Sequence, residues 1–108
     1  MNPILLSSST TQVSCTSDQA VYPGTTTCTA TVRGGASTPT GSVHWGTGSF
    51  GQFSPTDCVL SAGKCSVTYT TGAKDVGLTG VVLAAVYSGD ALYKSSEGKT
   101  TVTVRTAV

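Results

Sequence analysis

Charge is scarce in this sequence. Only 10% of its 108 residues are charged, six basic and five acidic, for a formal net charge of +1. The basic residues, Arg33, Lys64, Lys74, Lys94, Lys99 and Arg105, are scattered. Phosphate recognition needs clustered Lys and Arg, so no nucleic-acid partner is expected. Histidine is reduced to His44, with no Ser or acid at a recognisable motif spacing. A catalytic base needs positioned partners, so His44 reads as a surface strand residue. No Asp-x-Asp run exists, and a calcium site needs several oxygens at once. The one asparagine, Asn2, precedes Pro3, which removes any glycosylation sequon. The longest apolar run, Val81 to Tyr87, suits one buried strand and is far too short for a bilayer helix. Membrane insertion is therefore not expected. "MNPILLSSST" has neither the basic start nor the apolar core of a signal peptide, so the chain reads as a mature fragment or an excised module.

What the chain does have is Ser and Thr, roughly a third of all residues, with Thr a strong strand former. It also has 13 glycines and four cysteines. The cysteines are spaced Cys15-x12-Cys28 and Cys58-x6-Cys65. Zinc ligand pairs sit closer together, so two disulfides and an oxidising compartment are expected instead. Four cysteines allow three connectivities. Sequential pairing is favoured because each pair flanks a turn-like stretch, "VYPGT" or "LSAGK".

Short alternating segments recur along the chain, broken by Gly and Pro, and no helical period survives. "TQVSCTS" (11–17) is the first clear strand. "TTTCTATVR" (25–33) alternates strictly, with Cys28, Ala30 and Val32 on one face and Thr27, Thr29 and Thr31 on the other. "SVHWG" (42–46) puts Val43 and Trp45 inward. "CVLSAGKCSVTYT" reads as a hairpin, "GLTGVVLAAVY" as the most apolar strand, and "KTTVTVRT" (99–106) as the last. About seven strands in about a hundred residues is the pattern of a two-sheet antiparallel sandwich. The expected core is Cys28, Ala30, Val32, Val43, Trp45, Leu60, Val67, Tyr69, Leu83, Ala85, Tyr87, Val102 and Val104. Residues 1–9 form a linker or an extra strand, and 10–108 the sandwich.

"CTATV", "TPTGSV", "CVLSAGKCSVTYT" and "AVYSGDALY" occur here in an order and spacing that resembles bacterial Ig-like domain repeats, over about residues 10–105. The resemblance implies an Ig-like sandwich serving as a spacer, stalk or adhesive module at a cell surface. It implies no catalytic residues, and it supports pairing Cys15 with Cys28 and Cys58 with Cys65. Trp45 stands where the family more often has Phe. "VVLAAV" replaces a strand that usually alternates with Thr.

That last departure marks the first candidate site. With Val81, Leu83, Ala85 and Tyr87 inward, Val82, Ala84 and Val86 form an outward apolar row. Such a row is either covered by a neighbouring loop, such as 48–56, or used as a contact. A second candidate is the apolar Ile4-Leu5-Leu6, a possible donor strand for a neighbour in a self-assembling filament or capsid decoration. A third is a carbohydrate- or ligand-binding surface of Tyr22, Phe50, Phe53 and Tyr93, since aromatic faces at loop ends suit such binding. Expected partners are thus neighbouring Ig-like modules, identical subunits, or a cell-surface glycan or protein. No cofactor is expected. The function expected is non-catalytic: an extracellular structural, spacer or adhesion module.

Overall fold

The computed structural model describes residues 6–16, 19–35, 37–48, 50–77 and 80–106. Nine strands form there: β1 (Thr10–Cys15), β2 (Gln19–Tyr22), β3 (Thr25–Arg33), β4 (Ser42–Thr47), β5 (Gln52–Ser54), β6 (Asp57–Val59), β7 (Lys64–Thr70), β8 (Val81–Tyr87) and β9 (Ser96–Thr106). A single 3₁₀ turn, Ala73–Asp75, lies between β7 and β8. The strands make two sheets, ordered β1-β3-β7-β5 and β2-β9-β8-β4-β6. This is an Ig-like β-sandwich, with the four-stranded order of one immunoglobulin sheet facing the central three of the other.

The alternation read from β3 is what the packing uses. Its even-numbered positions from Thr26 to Val32 are buried, and its odd-numbered positions face solvent or are half-buried. All thirteen expected core residues are buried. Val81, Phe53, Tyr93, Ala20 and Cys65 join them. Trp45, Phe53 and Tyr69 stack through the centre, with ring centroids 5.4 Å and 5.0 Å apart. Those separations suit tilted aromatic packing.

Both disulfides join sequential cysteines, Cys15–Cys28 and Cys58–Cys65. The first links residues directly opposite each other on β1 and β3. The second joins β6 of one sheet to β7 of the other, stapling the two layers. In the chain-entropy picture each closes a loop worth about 2.5–3 kcal/mol.

The structure corrects the expected strand inventory in four places. β2 is an added short strand, and it runs parallel to β9, so the sandwich is not wholly antiparallel. β5 lies inside the stretch read as irregular and pairs with β7. β6 and β7 do not form a laddered hairpin, because β6 bonds to β4 and only Ser61 and Lys64 pair across the turn. The last strand begins at Ser96, earlier than its alternation suggested. Between β4 and β7 the chain therefore crosses from one sheet to the other three times. The turn at 61–64 places Ala62 and Gly63 at φ 54° and 79°. Two successive left-handed residues define the tight hairpin turn that suits twisted strands.

Candidate functional site

The two outer faces of the sandwich differ chemically. On the five-stranded sheet, register puts each outward residue of β8 between partners on β9 and β4. Val86 lies between Glu97 and His44, Ala84 between Lys99 and Gly46, and Val82 beside Thr101. Val82 is 47% exposed and Val86 41%. Gly46 adds no side chain over the row, and a Cβ there would meet nothing within 4 Å. Of the loop suggested as a cover, the central part turns away from the row, and Thr56 returns at the β4 edge, its carbonyl accepting from the Trp45 N–H. Residues 52–54 are β5, on the opposite sheet, and Phe53 points into the core. The row is open because the chain leaves β4 for the other layer.

Charges flank the row on both sides. Glu97 and Lys99 stand 3.8 Å apart on β9. On the other side His44 Nδ1 and Asp57 Oδ1 are 2.7 Å apart and exposed. The pairing of β4 with β6 brings these two together, and no spacing in the sequence signals it. Both sit in open solvent, where an ion pair contributes little.

The four aromatic candidates do not form one surface. Phe53 is 8% exposed and Tyr93 3%, so neither is available to a ligand. Phe53 fills the gap between Trp45 and Tyr69. Tyr93 is held by its hydroxyl, which donates to the Ser37 carbonyl at 2.6 Å and accepts from the Ser37 N–H at 3.0 Å. Its ring lies where a Cβ on Gly34 would stand, 2.2 Å from that position. Phe50 is exposed, with the Lys74 ammonium 5.7 Å from its ring. Tyr22 is half-buried against the core.

Of the apolar N-terminal residues, Ile4 and Leu5 lie outside the described residues, and Leu6 is exposed. Ser7 pairs in parallel with Tyr93, its N–H donating to the Leu92 carbonyl and its carbonyl accepting from the Lys94 N–H. Ser9 bonds through its hydroxyl to the Lys94 carbonyl and the Ser96 hydroxyl, so both Ser7 and Ser9 are engaged within their own chain.

The buried polar groups hold the fold. Asp75 is fully buried, and its carboxylate accepts from the Tyr69 hydroxyl at 2.8 Å, the Phe50 N–H at 3.0 Å and the Gly72 N–H at 3.2 Å. Burial, then the Asp75 carboxylate, pushes the Tyr69 hydroxyl well above the ordinary tyrosine range. Asp75 ends the 3₁₀ turn, and nothing in the sequence around it signals its burial. Tyr87 donates to the Thr40 carbonyl, and burial followed by the Asp90 charge pushes it up to about 12.

Asp90 ties the loop after β8 to the loop before β4. It accepts from the Thr40 N–H and hydroxyl, and from the N–H groups of Leu92 and Tyr93. These donors, Thr40 first, hold its carboxyl down at about 2. An unfolded Asp titrates near ~3.9. The carboxylate's contribution is therefore complete above the unfolded value and is lost as pH falls from there through about 2. Urea unfolding of Asp90→Asn beside the unchanged protein should show a gap in midpoint that is constant at neutral pH and closes across that window. A gap that persists below the window would assign the effect to shape and not to charge.

Among the described residues no three His, Cys, Asp or Glu side chains group as a metal site. No helix there is long and apolar enough to cross a membrane. The disulfides fit an oxidising compartment. No protein-family model matches the chain, and no curated protein matches it.

Proposed function

We propose that this chain is a non-catalytic structural module of an extracellular or cell-surface protein, of the bacterial Ig-like repeat kind, which associates with a second copy through the outward face of β8. The observation that carries this is the outward row of β8, in which Val82 and Val86 are exposed and Ala84 is half-buried between them. A contiguous exposed apolar patch is one mark of a contact surface. The flanking charges argue for a second copy as the occupant. Turning a copy about an axis along β8 lays Val on Val and Ala on Ala. It also carries the Glu97 and Lys99 edge of one copy over the His44 and Asp57 edge of the other. By register Glu97 of one copy then lies over His44 of the other, and Lys99 over Gly46; polar contacts at a rim set register more than affinity. The contact is self-complementary, as a two-fold interface must be.

Ala84 sits at the middle of the row, so a charge there tests the reading. Sedimentation equilibrium should show concentration-dependent association of the unchanged protein and its loss in Ala84→Asp. The variant's unfolding free energy should stay within about 0.5 kcal/mol, as for other surface changes. A protein that stays monomeric at millimolar concentration, or a variant that associates as well as the original, removes the β8 contact.

A further inference from the structure

The opposite face of the sandwich carries a different surface. Outward positions of the four-stranded sheet are almost entirely hydroxyls and amides. Register aligns Gln12, Thr31 and Lys64 in one rung, and Ser14, Thr29 and Ser66 in the next. The Thr29 and Ser66 hydroxyls bond at 2.7 Å. The face continues through Thr27, Thr68 and Ser54. Cations stand at one end only. Lys64 is opposite Thr31, and Arg33 follows Thr31 by two residues on the same side. Diagonal neighbours of this kind lie about 7–8 Å apart, within reach of one ligand group for long side chains.

Both cations line a groove of about 450 Å³ between the β3–β4 and β6–β7 connections. The rest of its wall is Thr31, Gly34, Gly35, Ser37 and Thr38, with the small apolar residues Val32, Pro39 and Ala62 between them. A second depression of about 510 Å³ shares Thr31 and Arg33 and runs on past Gln12 to Lys99. Neither Arg33 nor Lys64 makes an ion pair among the described residues. The described carboxylates are all elsewhere. Asp57 and Glu97 are on the other sheet, Asp75 is buried, and Asp90 is tied to Thr40.

We propose that this groove binds an acidic glycan, with a carboxylate or sulfate seated between Arg33 and Lys64 and neutral sugar hydroxyls running along Thr31 and Gln12. An anion held by two cations gains charge-assisted hydrogen bonds, and Arg offers a planar fork that matches both oxyanions. A peptide fits less well. β3 and β7 are interior strands whose backbone is already paired, so no edge is offered for strand addition.

Calorimetric titration of the full chain separates the outcomes. The probes are a sulfated heparin oligosaccharide, an oligogalacturonate, neutral dextran and a poly-glutamate peptide. One or both acidic glycans should bind, and which one does so assigns sulfate or carboxylate. Dextran and poly-glutamate should not bind. Arg33→Gln and Lys64→Gln should each weaken binding about tenfold, the worth of one charge-assisted contact. Both residues are exposed, so the melting temperature should hold. Lys74→Gln, at the other end of the sandwich, should change nothing. No binding by either acidic glycan overturns the proposal. So does equal binding of poly-glutamate, or a loss on Lys74→Gln as large as on Arg33→Gln.

Discussion

Replacing Trp45 by alanine is expected to destabilise the sandwich by about 3–5 kcal/mol, the usual cost of removing a large buried aromatic. Trp45 is 1% exposed and fully inside. Its ring packs on Phe53, which packs in turn on Tyr69. Its indole N–H points at Cys58 Sγ, 3.2 Å away, beside the staple between the sheets. Alanine would leave a hole bordered by both layers, which interior strands cannot collapse to fill. For a domain of this size such a loss is a large part of the whole stability. Trp45→Phe should recover much of it, because the aromatic contact survives. Equilibrium urea unfolding measures both. A loss of less than about 1.5 kcal/mol for the alanine variant would show that the neighbours repack.

The second large effect is expected at Asp75. Asp75→Ala should cost about 3–5 kcal/mol. Three donors lose their acceptor together, and each buried unsatisfied donor costs about 1–3 kcal/mol before relaxation. The Tyr69 hydroxyl, the Phe50 N–H and the Gly72 N–H all aim at this one carboxylate. Tyr69→Phe removes one of those bonds and keeps the ring, so its cost should be about 1.5–3 kcal/mol, the range for a bond to a charged group. Combining the two changes should cost less than their sum, since both act on the same bond. Additive losses would show that Asp75 acts through its backbone turn and not through Tyr69.

The strands most legible in the sequence are those long enough to alternate. β3, β7, β8 and β9 each run seven or more residues, and their buried faces follow a period of two. β2, β5 and β6 have four residues or fewer, too few for a period to emerge. Their existence depends on partners far along the chain. Phe53 illustrates the cost: read alone it is a loop aromatic, but in β5 it is core. Tyr93 fails for a related reason, because a hydroxyl bonded to Ser37 looks in sequence like one free to meet a ligand. The burial of Asp75 carries no signal in the sequence, because turn carboxylates are ordinarily solvated. The β8 row, by contrast, was legible. Seven consecutive apolar residues on an alternating strand must put some of them outward, and among the described residues Val82 and Val86 stay exposed.

The parallel pairing of β2 with β9 bears on how the module would carry tension. Parallel neighbours have their entering end and their leaving end at opposite ends of the pair. A pull on the start of β2 against the end of β9 therefore slides the strands past one another. The four rungs from Gln19–Thr103 to Tyr22–Thr106 are then strained together and must give way as a group. An antiparallel pair pulled from its two open ends would peel one rung at a time. Ahead of β2, the Cys15–Cys28 bond fastens β1 to β3, so the load does not strip β1 away beyond that point. A short strand that is invisible in the composition thus gives the sandwich a mechanical clasp.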